Sequence, residues 1–190
     1  MFLRNLTLFF LLTSSSIFSQ EILYEQNFDG NKLDKGWNFG IWGPEDNKPK
    51  ANYKFEKYGY KDNPALKVNI VKTSIDMNAT KANISKMDIE LKKNKQYKLS
   101  YRLRSRTFKD EIFISFFSSK VTGSNKPWSP LFHEKVKFKG DGSWNLIEHK
   151  ISTYKKDIIN TLDLKNLGIS IGFNTRRGIF YIDDIKIIQL

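Results

Sequence analysis

The chain has 190 residues, which suits one domain with a properly buried core. It contains no cysteine, and this excludes disulfides, thiolate metal sites, cysteine nucleophiles and a lipid anchor on an N-terminal cysteine. Its formal net charge of +12 would suit nucleic acid, an anionic membrane surface or an acidic polysaccharide as partner. A general excess of lysine, scattered along the chain, explains the charge as well.

The first 19 residues have the pattern of an export signal. Arg4 precedes an apolar run from Leu6 to Leu12, and three serines at 14–16 follow. We expect cleavage after Ser19 and a mature domain of residues 20–190. A membrane anchor is the alternative, but the run is far below the roughly 20 residues that span a bilayer. We therefore expect a secreted or periplasmic protein with no membrane anchor, for which nucleic acid is not an expected partner.

The mature chain reads as short strands separated by turn residues, with no linker and no internal repeat. One short helix is plausible, within Tyr154–Leu164. About eleven strands at this spacing predict an all-β fold, a two-sheet antiparallel β-sandwich of the jelly-roll kind. The predicted strands are Ile22–Phe28, Trp37–Trp42, Tyr53–Tyr58, Ala65–Lys72, Ile84–Leu91, Gln96–Arg106, Glu111–Ser119, Leu131–Phe138, Trp144–Thr153, Leu167–Asn174 and Gly178–Gln189.

Several of these strands alternate apolar and polar residues, which predicts one buried and one outward face for each. In the strand that begins at Gln96, the alternation turns Arg102 and Arg104 outward. The residues predicted to face inward are Leu66, Val68, Ile70, Tyr97, Leu99, Tyr101, Leu103, Ile169, Ile171 and Phe173.

The C-terminal strand carries two adjacent carboxylates, Asp183 and Asp184. Because neighbouring side chains of a strand point to opposite faces, we expect one of the two to point into the protein. An inward carboxylate needs a cation, a metal ion or several backbone N–H groups as partner.

Five motifs occur in the same order as in a known family. They are Asn27–Gly30, Gly36-Trp37, Tyr97–Ser105, Gly142–Trp144 and Tyr181–Ile185. In this order the chain resembles the jelly-roll carbohydrate-binding modules of the group that includes families 4, 9 and 22. The resemblance implies a galactose-binding-like β-sandwich with a structural Ca²⁺ near the two termini.

The resemblance also implies ligands for that ion. By position, Asp29 matches the acidic residue of the family's first strand and Asp183 the first aspartate of its terminal pair, with Glu25 as a further candidate. Calcium takes six to eight oxygen ligands, so carboxylates and backbone carbonyls suit it. The alternative for Asp183 is a carboxylate capped by Lys, Arg or backbone N–H groups.

A sugar ring stacks its C–H face on flat aromatic side chains, while its hydroxyls need polar partners. The candidate aromatic residues are Trp42, Tyr60 and Trp128, although burial in the core is an equal expectation for either tryptophan. Trp37 and Trp144 are interpreted as packing residues.

The polar candidates are Arg102 and Arg104, with Asn69 as a plausible neighbour on the same sheet. Two guanidinium groups on one strand face suit a carboxylate or sulfate on the sugar. The alternative is a solvated face whose arginines pair with Asp88 or Glu90.

These observations predict a secreted, non-catalytic protein that binds a polysaccharide, with an acidic glycan favoured by the charge. A polysaccharide lyase or glycoside hydrolase on the same scaffold is one alternative, and a cell-surface protein-interaction module is another. Catalysis is disfavoured because no segment matches the Glu-x-Asp-x-x-Glu motif of the laminarinase-like jelly rolls; the nearest pair, Asp88 and Glu90, lies on one face of a predicted strand. The only histidines, His133 and His149, have no ligand spacing for zinc.

Overall fold

The structure is a computed structural model, and it describes residues 20–42, 50–57, 59–72, 81–106, 111–118, 129–138, 140–154, 156–174 and 177–190. The segment predicted to be an export signal, 1–19, lies outside these ranges. Within them the chain is almost entirely β, and no helix there is long or apolar enough to cross a membrane.

The strand bounds follow the predicted order closely. The one α-helix of the described ranges, α1 (Lys156–Thr161), lies inside the segment where the sequence allowed a helix. The strands are β1 (Ile22–Gln26), β2 (Trp37–Trp42), β3 (Lys50–Glu56), β4 (Ala65–Lys72), β5 (Lys81–Ile89), β6 (Gln96–Ser105), β7 (Glu111–Ser118), β8 (Ser129–Lys137), β9 (Trp144–Ser152), β10 (Leu167–Asn174) and β11 (Gly178–Gln189).

The strands form two antiparallel sheets, as predicted. The six-stranded sheet has the order β3-β4-β11-β6-β9, and β1 also pairs with β11. The five-stranded sheet has the order β2-β5-β10-β7-β8. Most neighbours in each sheet are distant in sequence, so non-local pairing decides which side chains share a surface.

The core lies between the sheets and consists of the faces that the alternation predicted. Every residue predicted to face inward is at most 2% exposed. Phe116, Phe173 and Phe180 are among the largest side chains that are fully buried. Burying such a side chain contributes roughly 1.5–3 kcal/mol, so this apolar layer is the main source of stability.

The alternation of β11 is interrupted at its two aspartates. The β11–β6 register shifts between Asp183 and Lys186, and Asp184 has a positive φ of 53°. This β-bulge lets Phe180 and Ile182 face inward before it and Ile185 and Ile187 after it. Asp183 pairs with Arg102 and therefore lies on the outer side of the sheet. The expectation that one of the two aspartates points into the protein therefore takes a different form, because the bulge places the buried one, Asp183, on the outer side of the sheet and not between the sheets.

Asp183 is nevertheless only 3% exposed, because a turn covers it. The turn is closed by a 2.7 Å hydrogen bond from Gly59 N to Asn63 O, with Lys61 and Asp62 at positive φ. A side chain on Gly59 would overlap the Asn63 carbonyl oxygen and lie 2.9 Å from Asp183 Oδ2. The turn therefore packs directly on Asp183.

Candidate functional site

The Asp183 carboxylate is held by backbone N–H groups. The N–H of Tyr60 donates to Oδ2 at 2.8 Å, and the N–H of Asp184 donates to Oδ1 at 2.8 Å. The pKa of Asp183 is raised to about 6: burial raises it most, the two hydrogen bonds lower it, and the negative charges of Asp184 and Asp29 raise it. No cationic side chain of the described ranges contributes to this balance.

The three predicted calcium ligands have different surroundings. Asp29 lies in the turn after β1, accepts a 2.7 Å hydrogen bond from Asn27 Nδ2, and is close enough to act on the charge of Asp183. Glu25 instead forms a 2.9 Å ion pair with Lys186, which also pairs with Asp184 at 2.9 Å. In the part of the chain that the structure describes, no group of three His, Cys, Asp or Glu side chains is arranged to hold a metal. Calcium stays a prediction.

Tyr60, Arg102 and Arg104 come together on the outer side of the six-stranded sheet. The Arg102 guanidinium lies 3.6 Å from the centre of the Tyr60 ring. The Arg104 guanidinium lies 4.5 Å from the Tyr181 ring and 5.3 Å from the Trp144 ring. We call these five residues, Tyr60, Arg102, Arg104, Trp144 and Tyr181, the arginine face.

Two residues of this face, Tyr181 and Trp144, were not among the predicted binding residues, and Trp144 was interpreted as a packing residue. It pairs with Arg104 in the β6–β9 register, and its ring makes an edge contact with Tyr60 at 6.3 Å. Only the register shows this, because the two strands are about forty residues apart in sequence. Asn69 points to the same side from β4, paired with Ile179.

The acidic partners of the arginine face differ from those considered in the sequence. Asp88 and Glu90 are at the end of β5, in the other sheet. Arg102 instead lies 3.6 Å from Asp184 through Nε, which makes no hydrogen bond. Asp88 also has a positive φ of 64°, and β5 ends at Ile89, so Asp88 and Glu90 do not share a regular strand face.

The side chains of two predicted binding aromatics, Trp42 and Trp128, lie outside the described residues. Trp42 ends β2, but its side chain lies outside the described part of the structure. Trp128 lies outside the described residues altogether. Their roles stay predictions.

The outer side of the five-stranded sheet has a different character. The register places Ser85, Ser170, Ser115 and His133 side by side in one row, and Asn83, Gly172, Phe113 and Lys135 in the next. We call Asn83, Ser85, Ser115, Ser170 and Gly172 the serine floor. Its side chains are small and polar, and the larger Phe113, His133 and Lys135 lie at one end.

Asn83 has an unused acceptor in this floor. Its side chain is only 9% exposed, and Nδ2 donates to Ser170 Oγ at 3.3 Å, but Oδ1 has no hydrogen-bond partner. At the end of the floor, Ser115 Oγ and His133 Nδ1 are hydrogen-bonded at 2.6 Å, and the His133 ring stacks on Phe113 at 5.8 Å. Only the pairing of β5, β10, β7 and β8 brings these residues together, and the sequence of any one strand does not show it.

A third polar cluster lies between the sheets. His149 Nε2 is 3.1 Å from Tyr101 Oη, and His149 Nδ1 is 2.8 Å from Glu134 Oε2. The order of groups resembles a catalytic relay, but Tyr101 is fully buried and its pKa is raised by burial. A substrate could not reach the tyrosine. We therefore interpret the cluster as a structural contact between β9 and β8 and not as a catalytic site.

Comparison with solved structures shows what the chain resembles. No family model matches the sequence, and no curated protein matches it significantly. A family 4 carbohydrate-binding module superposes with a TM-score of 0.52 at 16% identity, covering 80% of this chain and 86% of that one.

Two further structures have similar folds. The family 11 module of Clostridium thermocellum, in complex with a β-1,3-1,4-mixed-linked tetrasaccharide, has a TM-score of 0.53 at 20% identity and covers 86% of this chain and 95% of that one. A family 22 xylan-binding domain from Paenibacillus barcinonensis has a TM-score of 0.57 at 13% identity, covering 90% and 96%. The predicted resemblance is confirmed in its fold: this chain has the β-sandwich of carbohydrate-binding modules.

Proposed function

We propose that this protein is a non-catalytic carbohydrate-binding protein whose sugar site is the serine floor. The observation that carries the proposal is the unpartnered Oδ1 of Asn83, on an outer sheet face of small polar residues. A buried acceptor without a partner costs free energy, typically about 1–3 kcal/mol. A ligand that donates a hydrogen bond at this point removes that cost.

A saccharide has the groups that such a surface requires. One hydroxyl donates to Asn83 Oδ1, and others exchange hydrogen bonds with Ser85 and Ser170, whose hydroxyls both donate and accept. Gly172 leaves room over the floor, since a Cβ there would meet only Phe113, at 4.0 Å. Lys135 lies over the Phe113 ring at 5.8 Å, but the exposed His133 ring, which stacks on Phe113, offers a flat surface against which the C–H groups of a sugar pack. The fold shared with the modules above supports the same conclusion.

The absence of catalysis is part of the proposal. Glycoside hydrolysis needs two carboxylates on either side of one bond. In the described ranges, the outward residues that we place in the serine floor include no carboxylate. The proposal also includes export, with residues 1–19 as the cleaved signal, so that the protein meets polysaccharide outside the cytoplasm.

We further propose a structural Ca²⁺ that Asp183 and Asp29 hold. The support is that Asp183 is a buried carboxylate beside two other acids, with no cation of the described residues compensating it. Of the three predicted ligands, only Asp183 and Asp29 would bind the ion, because Glu25 is already paired with Lys186. Backbone carbonyls and water would complete the shell. When bound, the ion would supply the positive charge that Asp183 lacks.

Affinity gel electrophoresis against a panel of neutral and acidic polysaccharides tests the main proposal. We expect retardation by at least one neutral polysaccharide, and titration calorimetry should show at least about tenfold weaker binding for Asn83→Ala. The control Asn52→Ala removes the same group from an exposed position on β3 and should leave binding unchanged. If no polysaccharide retards the protein, or if Asn83→Ala binds as wild type, the proposal is wrong. Release of new reducing ends or of unsaturated uronates would show catalysis instead.

A further inference from the structure

Arg104 differs from the other charged residues on the outer side of the six-stranded sheet. Its guanidinium lies between two aromatic rings, 4.5 Å from the centre of Tyr181 and 5.3 Å from that of Trp144. Of the described residues, none with a carboxylate forms an ion pair with it. The two rings therefore orient the Arg104 guanidinium without neutralising its positive charge.

The carboxylates near Arg104 form ion pairs with other cations. Glu56 pairs with Lys54 at 2.6 Å and with Lys67 at 2.8 Å. Asp184 pairs with Lys186 at 2.9 Å and contacts Arg102 only at 3.6 Å. Glu148 on β9 pairs with Lys98 at 2.8 Å. Within the described ranges, no carboxylate thus compensates the charge of Arg104 at the centre of the arginine face.

The rings of the arginine face are covered by cations, which restricts the ligand. The Tyr60 ring has Arg102 at 3.6 Å and Lys61 at 5.6 Å, and the Tyr181 ring has Arg104 at 4.5 Å and Lys67 at 5.6 Å. A sugar ring could stack on them only by displacing a cation. The N–H edge of a stacked guanidinium stays available, and this fork matches the two oxygens of a carboxylate or sulfate.

We propose that Arg104 is a binding site for the carboxylate or sulfate groups of an acidic polysaccharide, on the sheet opposite the serine floor. The inference rests on the proposed function only in taking the ligand to be a polysaccharide, since it uses different residues. Arg102 is the second contact, because its side chain lies on the same face of β6 and is 20% exposed, although its buried Nε is directed to Asp184. Trp144 and Tyr181 are positioning residues that hold the Arg104 guanidinium in its orientation.

Titration calorimetry of the purified protein with dextran sulfate, polygalacturonate and uncharged dextran tests the site. We expect Arg104→Gln to weaken binding of one or both anionic polymers at least about tenfold, and Arg104→Lys to weaken it about fivefold, because lysine keeps the charge but not the planar fork. Which polymer responds distinguishes sulfate from carboxylate. The control Lys165→Gln removes one charge from an exposed turn before β10 and should change affinity less than about twofold.

A second pair of variants covers the case in which Arg104 variants do not fold. Trp144→Phe keeps a ring against Arg104 and should bind the anionic polymers as wild type, whereas Trp144→Leu should bind several-fold more weakly at an unchanged unfolding midpoint. Asn83→Ala should bind the anionic polymers normally, so a failure here is distinguishable from a failure of the serine floor. If Arg104→Gln and Lys165→Gln weaken binding equally, or if Arg104→Lys binds as wild type, attraction is only a matter of net charge and the site is rejected.

Discussion

Tyr60 and Asp183 are 123 residues apart in sequence, and the Tyr60 N–H donates a 2.8 Å hydrogen bond to Asp183 Oδ2. This bond joins the turn after β3 to the bulge in the central strand β11. The Tyr60 ring also covers Arg102, so one residue contacts both the buried carboxylate and the arginine face. The covering turn and the terminal strand therefore act together, and the first two predictions concern their junction.

Calcium should stabilise the protein through Asp183. At a concentration 100 times the Kd, a ligand that binds only the folded state adds about 2.7 kcal/mol. For a chain of this size we expect the thermal unfolding midpoint to rise by roughly 5–11 °C, measured by calorimetry with calcium against a chelator. Asp183→Asn should abolish the rise, whereas Glu25→Gln should keep most of it because Glu25 is paired with Lys186. No calcium effect on the wild type would contradict the metal proposal.

Gly59→Ala should destabilise the turn that covers Asp183. The added methyl would overlap the Asn63 carbonyl oxygen and lie 2.9 Å from Asp183 Oδ2. We expect a loss of about 2 kcal/mol in the free energy of unfolding, measured with denaturant. Gly172→Ala is the matched control, since its methyl would meet only Phe113 at 4.0 Å, and its stability should equal that of the wild type. Equal stability of the two variants would show that the turn does not pack on Asp183 as described.

Gly172→Leu should block the serine floor without weakening the fold. The side chain would project from the outer side of β10, where a strand position favours leucine over glycine. We expect at least about tenfold weaker binding of neutral polysaccharide by calorimetry, with an unfolding free energy within about 0.5 kcal/mol of wild type. Binding of anionic polymers at Arg104 should not change. Unaltered binding of neutral polysaccharide would place the sugar site elsewhere.

Glu56 should contribute stability that depends on pH. Hydrogen bonds from Lys54 and Lys67 lower the pKa of Glu56 from 4.5 to about 2. A lowered pKa in the folded state means that this contribution is complete above pH 4.5 and is lost as pH falls through about 2. At pH 6 the free energy of unfolding of wild type should exceed that of Glu56→Gln by about 1 kcal/mol, a modest difference because solvent screens a partly exposed ion pair. The difference should shrink towards pH 2.

The matched control for Glu56 is the more exposed pair of Glu148 and Lys98, whose side chains are 46% and 30% exposed. Glu148→Gln should lower stability less than Glu56→Gln at pH 6, because solvent screens it more fully. A difference between wild type and Glu56→Gln that is constant from pH 6 to pH 2 would contradict the assignment. Denaturant unfolding at several pH values provides the measurement.

The sequence by itself determined the fold class, most strand positions and the inward faces. Alternation has a period of two and reports burial strand by strand, so Tyr97, Leu99, Tyr101 and Leu103 were identified without knowing their partners. The ordered motifs from Asn27–Gly30 to Tyr181–Ile185 also indicated the right fold, which the solved structures share. The alternation within a strand and the order of the motifs along the chain can both be recognised without knowing which strands pair.

Only the tertiary structure decided which side chains share a surface. Pairing between β6 and β9 put Trp144 beside Arg104, and pairing among β5, β10 and β7 assembled the serine floor from separate parts of the chain. The bulge at Asp184 turned Asp183 to the outer side, where the turn at Gly59 covers it. Register and bulges are set by contacts between distant strands, and a periodic pattern within one strand contains no information about them.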